Sequence, residues 1–418
     1  MRHPGHLAAA LALSWLLASC DPRAGREASV PPSRPAPVTI TGWRGDGSGI
    51  FPHVDPVLEW SEEKNVLWKT KVGSSFSSPV IAAGRVFVTS EKAKLVCVDA
   101  ADGKVLWSAE SGFDKLPADI RAKARQFPTD CGFATPTPVT DGCHVFVSYG
   151  TGVVTCFDLG GKRKWIRQFQ LKPSTAEGRS ASPVLAAGRL VVSITHLIAL
   201  DPATGETIWE QKKAEAAYGT PVAAKIGDEA VIVTPTGRAL RLSDGKVLLK
   251  DMAYADNTSP VVTGGVACFV GGSVVVAVRL PDKVADEAKP KELWYADAEG
   301  EFFSSPVVHD GLLYTMSNDG VLFIIEVKEG EIVFEDRLGN IPSASTPETA
   351  NIYPSMAVAG GHVFVSNDAG TTLVLKPGRG YSEVAKNTLE EGAGGSHVFQ
   401  GKRIYVRGGE FLYCIGEK

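Results

Sequence analysis

The residues best suited to binding another molecule are four aromatic residues that recur at one position of a sequence repeat. They are Phe76, Tyr218, Phe303 and Tyr353. Each stands three residues before the proline position of that repeat. The other copies of the repeat carry Thr135, Ser180, Asn257 and Gly394 at this position. Aromatic side chains anchor protein interfaces, so the set predicts an apolar contact surface; packing inside the fold would explain it equally well.

Motifs of catalysis and of metal binding are missing from the sequence. It contains no Gly-rich phosphate loop, no nucleophile elbow and no pair of carboxylates placed for glycoside hydrolysis. Neither a CxxC nor an HExxH spacing occurs, so we predict no metal site. The net charge of −4 and the lack of a basic cluster argue against a nucleic-acid partner.

The repeated phrase defines the elements that must position the aromatic residues. It reads small-small-Pro-apolar, then a Gly turn, then an apolar run, as in Ser77–Val80 followed by Gly84 and Val86–Val88. It returns about every 40 to 60 residues around Pro138, Pro183, Pro221, Pro260 and Pro306, and in degenerate form around Met356 and His397. Such a period, with several short strands in each unit, predicts an all-β, eight-bladed propeller of four-stranded antiparallel blades.

The ring is expected to close with a strand from the N-terminal side. The last repeat ends at 411–415 without a fourth strand, and 65–72 resembles an orphan fourth strand that carries Trp68. Pairing the two removes exposed sheet edges. Most long loops fall on one face of the propeller, and one of them contains a helix predicted over 117–127. These loops either bind a partner or are long only because loops tolerate changes of sequence and length.

The passages Asp-x-x-x-Gly-x-x-x-Trp resemble the repeat of the pyrroloquinoline-quinone-like propellers, and 42–49 resembles the opening of many such exported proteins. That family includes quinoprotein alcohol dehydrogenases and the lipoprotein of the outer-membrane barrel-assembly machinery. In it the tryptophan docks on the Gly turn of the next blade. The resemblance implies this role for Trp68, Trp107, Trp165, Trp209 and Trp294, and weaker docking at Leu249 and Phe334.

A quinone enzyme of this family would need a cation for the carboxylates of its cofactor and oxygen ligands for calcium. The best candidates are Arg179, Asp256, Asn257 and Glu301. The sequence lacks the adjacent cysteine pair found in many of these dehydrogenases. It therefore favours no cofactor, with pyrroloquinoline quinone and calcium kept for the alternative of an alcohol or sugar dehydrogenase.

The N-terminus resembles a bacterial lipoprotein signal. An apolar run at 7–17 is too short to span a bilayer and is followed by Leu17-Ala18-Ser19-Cys20. We predict a signal peptide over 1–19, lipidation of Cys20, a Pro-rich tether over 20–39 and a propeller over 40–418; an ordinary cleaved signal is the alternative.

Six cysteines follow Cys20. Cys97, Cys156 and Cys414 share one repeat position and are predicted to be small core residues. Cys131 and Cys143 bracket one predicted strand, which would hold them about 25 Å apart, so we expect no bridge between them.

These observations favour a non-catalytic, exported and lipid-anchored propeller that serves as a monomeric scaffold for another envelope protein. It would face the periplasm or the cell exterior. Binding of a sugar or cell-wall ligand is a further hypothesis. A likeness of fold is weak support for any of these functions.

Overall fold

The computed structural model describes residues 41–124, 132–171, 179–215, 218–255, 257–285, 289–392 and 394–418. The described residues all belong to one compact unit, Val38–Lys418. The predicted signal peptide, Cys20 and the whole of the predicted tether lie outside them, as do Cys131 and Asp256. No helix within these ranges is long and apolar enough to cross a membrane.

Eight four-stranded antiparallel blades form the described domain, as the repeats predict. We number them 1 to 8 in the order of their inner strands. Short β-branched runs between Gly turns produce these strands. The first four blades comprise Val80–Ala82, Arg85–Ser90, Lys94–Asp99 and Val105–Glu110; Val139–Thr140, His144–Ser148, Val153–Asp158 and Arg163–Gln168; Val184–Ala186, Arg189–Ser193, His196–Leu200 and Thr207–Glu215; and Val222–Ile226, Glu229–Val233, Ala239–Arg241 and Val247–Leu249.

The other four blades repeat this arrangement with one exchange of strands. They comprise Val261–Thr263, Val266–Gly271, Val274–Arg279 and Lys291–Asp297; Val307–His309, Leu312–Met316, Val321–Glu326 and Ile332–Arg337; Ala357–Ala359, His362–Ser366, Thr371–Leu375 and Glu383–Thr388; and Val398–Gln400, Arg403–Gly408, Phe411–Ile415 and Val66–Lys71. The outer strand of blade 8 is thus Val66–Lys71, which pairs antiparallel with Phe411–Ile415 and closes the ring. This confirms the predicted closure.

Helix is confined to one loop in the described part of the chain. Phe113–Lys115 forms a 3-10 turn and Ala118–Arg121 a single α-helical turn. Within the described residues, which here end at 124, the helix predicted over 117–127 is therefore shorter than expected. Pro117 sets its start, and residues 125–131 lie outside the description.

The hydrophobic core lies between the blades. Eight clusters of buried side chains each span two neighbouring blades, and one of them joins blade 8 to blade 1 through Trp68, Val86 and Cys414. Burial of apolar area at each of these contacts stabilises the ring. No blade completes its core alone, which is the general property of repeat folds.

Four of the cysteines serve the core as small apolar side chains, and they are Cys97, Cys156, Cys268 and Cys414. They are free and buried, and burial raises the pKa of Cys97 to about 12. Each of Cys97, Cys156 and Cys414 lies opposite the tryptophan of the adjacent outer strand, so a small residue leaves room for the indole. The predicted core role of these three is confirmed.

Cys143 differs from the free cysteines because it is disulfide-bonded. Our argument against a bridge to Cys131 assumed one continuous strand between them. The inner strand of blade 2 is only Val139–Thr140. Cys131 lies outside the described residues, so the expectation of no bridge between it and Cys143 stays a prediction.

Residues 41–51, the axial segment, run along the inner strands at the end opposite the aromatic positions. Thr41 and Thr140 of blade 2 exchange backbone hydrogen bonds, and Ile50–Phe51 pairs in parallel with the inner strand of blade 7. Arg44 is 1% exposed and donates through Nη2 to the carbonyl oxygens of Pro306 and Met356 at 2.7 and 2.9 Å. Burial lowers the pKa of this guanidinium to about 9, against a smaller opposing effect of Asp46.

Candidate functional site

The aromatic positions lie at one mouth of the central channel, on the face where the outer-to-inner connections and the second-to-third strand turns meet. We call this the loop face. The inner strand of each blade begins just after its aromatic position, so the propeller ring fixes all eight positions relative to one another. Side chains there rest on a rigid scaffold although they stand in loops.

Three of the four predicted aromatic residues come together. The ring of Tyr353 in blade 7 lies 5.1 Å from that of Phe303 in blade 6, at an interplanar angle of 65°. On its other side the ring of Phe76 in blade 1 lies 6.2 Å away in an edge-to-face arrangement. Aromatic pairs are most favourable at such distances and tilts. We call these three residues the aromatic arc.

Gly394 makes the arc continuous across blade 8. A Cβ atom on Gly394 would lie 2.6 Å from Cδ1 of Phe76, closer than real contacts allow. The side chain of Phe76 can therefore reach over blade 8 to Tyr353 only because this position lacks a side chain. Sequence reasoning found Gly394 at the equivalent position but did not predict this contact.

The arc is partly open to solvent. Phe76 is 40% exposed, and Phe303 and Tyr353 are half-buried. Most large apolar side chains of the described domain are buried, so a contiguous and partly exposed aromatic group at the channel mouth is a candidate contact surface. Tyr218 does not join it: it is half-buried on blade 4, and its carbonyl oxygen accepts a hydrogen bond from Ser180 Oγ at 2.9 Å.

The residues proposed for a quinone site are spread over several blades. Arg179 heads blade 3, where its Nε donates to the carbonyl oxygen of Ile194 at 2.5 Å and burial lowers its pKa. Asn257 is half-buried at the head of blade 5, and Glu301 is exposed beside blade 6. Asp256 lies outside the described residues. Among the side chains that can be placed, no three of His, Cys, Asp or Glu converge as metal ligands do. The absence of a cofactor stays a prediction.

The five tryptophans that the family resemblance singled out lie between blades. Each indole N–H donates to a carbonyl of the next blade at 2.8 to 3.3 Å, and the acceptors are Ala100, Leu159, Pro202, Leu242 and Val327. Each ring also lies against the glycine of the turn it meets, as Trp165 does with Gly205, where an added Cβ would be 2.7 Å from the indole. Blades 4 and 6 carry Leu249 and Phe334 instead and so lack the indole N–H.

A second ring of contacts surrounds the channel beneath the arc, and sequence reasoning did not identify it. In every blade the residue before the proline position is a buried serine or threonine: Ser78, Thr137, Ser182, Thr220, Ser259, Ser305, Ser355 and Ser396. The backbone N–H of each donates to the hydroxyl of the next at 2.8 to 3.1 Å, and the eighth bond returns to the first. The serine or threonine that recurs before the proline position of each repeat could have predicted this ring of hydrogen bonds.

Comparison with known proteins identifies the family. A family model described as outer membrane protein assembly factor BamB matches residues 60–233 and 195–398, which together cover most of the propeller. The chain belongs to this family.

The curated relatives in this family match only part of the chain. BamB of Moranella endobia (strain PCIT) is 33% identical over 124 residues, which are 27% of this chain and 32% of the relative. BamB of Yersinia pestis is 25% identical over 228 residues, 49% of this chain and 57% of the relative. The chain thus spans between about a third and somewhat over half of the length of the curated relatives it matches.

Solved structures share the fold at low identity. The crystal structure of BamB from Moraxella catarrhalis superposes with a TM-score of 0.59 at 11% identity, covering 84% of this chain and 99% of that one. A europium-containing methanol dehydrogenase superposes with a TM-score of 0.58 at 13% identity, covering 83% and 86%. The predicted resemblance to this group of propellers is confirmed.

Proposed function

We propose that this protein is a non-catalytic, lipid-anchored scaffold of the cell envelope that binds another envelope protein through its loop face. The observation that carries this proposal is the aromatic arc, a contiguous and partly exposed group of rings on a rigid channel mouth. Interfaces concentrate their binding energy in a few aromatic residues that can be desolvated by a partner. The relatives bear the name outer membrane protein assembly factor, which supports a role in assembly.

Contacts within the domain support the loop face as a preformed surface. The loop that leads into Tyr353 is held by Ser343 Oγ, which donates to the carbonyl oxygen of Asp319, and by Asn367 Nδ2, which donates to that of Pro342. These bonds tie it to the turns of blades 6 and 7. A surface that is ordered before binding loses less conformational entropy on association, which favours affinity.

A photo-crosslinking amino acid at Phe76 tests the binding role in intact cells. Phe76 is the most exposed ring of the arc, so the label there should form a discrete adduct with an envelope protein. The matched control places the label at Glu206, an exposed residue in the turn between the third and fourth strands of blade 3, on the opposite face. Adducts that are equal from both positions, or absent from both, would overturn the proposal.

The anchor rests on Leu17-Ala18-Ser19-Cys20, which resembles a lipidation signal. Cys20→Ala should abolish incorporation of labelled fatty acid and release the protein from membranes. Cys268→Ala removes a buried cysteine instead and should keep the label. If Cys20→Ala remained lipidated, the anchor would be rejected and the loop-face proposal would stand by itself.

A further inference from the structure

We infer that the arc recognises a partner segment in which lysine or arginine side chains stand beside apolar or aromatic ones. This inference rests on the proposed scaffold function and specifies the chemistry of its partner. It comes from the distribution of charge around the arc, which is uneven over the loop face.

The part of the loop face that surrounds Phe303 and Tyr353 is acidic. We call this part the acidic sector, and none of its segments contains lysine or arginine. The segments are 299–303, 317–320, 338–353, 366–370, 389–392 and 408–410. They carry the carboxylates of Glu301, Asp319, Glu348, Asp368 and Glu391 among others. The nearby turn of blade 1 adds one charge of each sign, Glu91 and Lys92. Lys115, Arg121 and Arg179 stand elsewhere on the loop face. Two arginines border the sector: Arg337, whose Nη1 donates to the carbonyl oxygen of Asp319 at 2.8 Å, and the buried Arg407.

Hydrogen bonds fix two acidic residues of the sector, Glu301 and Asp368, near the arc residues Phe303 and Tyr353. Glu301 is two residues before Phe303, and its carbonyl oxygen accepts from Asn318 N at 2.7 Å. Asp368 accepts from the backbone and the side-chain amide of Asn351, two residues before Tyr353, at 2.7 and 3.1 Å. Glu301 and Asp368 therefore belong to the segments that carry Phe303 and Tyr353 or are bonded to them.

Most of this negative charge is not neutralised within the domain. At the sector's edge Lys71 pairs with Glu410 at 2.7 Å and Lys69 with Glu390 at 3.4 Å. In the described part of the chain, Glu301, Glu348 and Asp368 form no ion pair. Exposed carboxylates beside aromatic faces attract a cation by both Coulomb and cation–π interactions.

Charge also selects among possible occupants. An acidic partner would bring like charges together at the rim of the arc, which disfavours association. A second copy that docked symmetrically through this surface would oppose its own acidic sector. A basic-aromatic segment satisfies both the rings and the carboxylates.

The test measures binding of fluorescent peptides to the full chain in non-ionic detergent, with empty micelles as the blank. One peptide alternates lysine with phenylalanine, a second replaces lysine with glutamate, and a third replaces phenylalanine with serine. We expect the first peptide to bind most tightly and to weaken as salt screens the charges. Equal binding of the glutamate peptide would overturn the inference.

Variants locate the binding surface. Glu301→Lys and Glu348→Lys should each weaken the lysine–phenylalanine peptide about threefold to tenfold at low salt, because each reverses one exposed charge of the sector. Glu206→Lys makes the same change on the opposite face and should leave binding unchanged. Phe303→Ala should weaken binding but keep its salt dependence. If Glu301→Lys and Glu206→Lys have the same affinity for the lysine–phenylalanine peptide, the peptide does not bind at this surface and the inference fails.

The crosslinked partner separates this inference from the scaffold proposal. A partner captured from Phe76 whose yield does not change in Glu301→Lys and Glu348→Lys would keep the scaffold and reject the basic segment. A partner whose yield falls in both variants, but not in Glu206→Lys, supports the two together. With no partner captured from Phe76, the scaffold proposal fails, and peptide binding alone then decides whether the surface reads basic segments.

Discussion

The backbone N–H of Ser396 donates a hydrogen bond of 2.9 Å to Oγ of Ser78, although 318 residues separate them along the chain. It is the eighth member of the ring of bonds around the channel, and it joins the last repeat to the first. Outer strands close the propeller at its rim through Val66–Lys71, whereas this bond closes it at its axis. The two closures together hold the channel mouth on which the arc stands.

Ser78→Ala should destabilise the propeller, because it leaves the buried N–H of Ser396 without its acceptor. An unsatisfied buried donor costs about 1 to 3 kcal/mol of unfolding free energy. Ser78→Thr retains a hydroxyl, as Thr137 and Thr220 do in their blades, and should be much closer to the native protein. Denaturant unfolding of both variants measures the difference; equal stabilities would show that the ring contributes nothing at this blade.

Alanine substitutions at two glycines of blade 3 should distinguish the cost of backbone strain from the cost of disturbing tryptophan docking. Gly188 and Gly205 have φ angles of +69° and +70°, but an added Cβ meets nothing within 4 Å at Gly188 and lies 2.7 Å from Trp165 at Gly205. We expect Gly188→Ala to cost about 1 to 2 kcal/mol of stability from backbone strain alone. Gly205→Ala should cost about 1 to 3 kcal/mol more, from overpacking against the indole.

A double-mutant cycle then assigns the extra cost of Gly205→Ala. In a Trp165→Ala background the difference between the two glycine variants should disappear, because the indole is gone. Denaturant unfolding gives each free energy. Equal costs for the two glycine variants in the native background would argue against tight docking of Trp165.

His397 should make stability fall in mild acid. It occupies the proline position of blade 8, and burial lowers its pKa to about 4 from an ordinary value of 6.5. As pH falls below 6.5 the unfolded chain takes up the proton first, so this contribution is present above pH 6.5 and is lost progressively towards pH 4. The loss should be on the order of 3 kcal/mol at its full extent.

His397→Met isolates this effect from the titration of the carboxylates, since Met356 fills the equivalent position in blade 7. Unfolding free energies measured from pH 7.5 to pH 4 should fall less steeply in the variant. Identical slopes in the two proteins would show that His397 titrates freely in the folded state.

Periodicity made the ring predictable from the sequence. The missing fourth strand after Phe411–Ile415 could be matched to Val66–Lys71 because both keep the repeat's own pattern. The tryptophans were found in the same way. Periodicity carries no information on segments that occur once, so nothing local predicted that Arg44 enters the channel or that residues 41–51 follow its inner strands.

The candidate site was predicted only in part, for a different reason. The equivalent position of four aromatic residues is visible in the sequence, but their contacts depend on how far a side chain reaches. Phe76 meets Tyr353 across a blade because Gly394 leaves space, whereas Tyr218 has no aromatic neighbour at the adjacent blade heads, Ser180 and Asn257. Which of the eight equivalent positions contact one another therefore depends on the size of the side chains that stand between them.

The most direct test of the scaffold proposal compares binding with stability in Phe303→Ala and Tyr353→Ala. For each variant, capture of the crosslinked partner is measured per folded molecule, and the melting temperature is measured beside it. Tyr295→Ala, which changes a ring that is 63% exposed on the outer strand of blade 5, is the matched control. We predict that capture falls about tenfold or more in the two arc variants, as for interface hot spots, with only a small thermal loss and no change in the control. A large thermal loss with capture unchanged would assign the rings to packing and contradict the proposal.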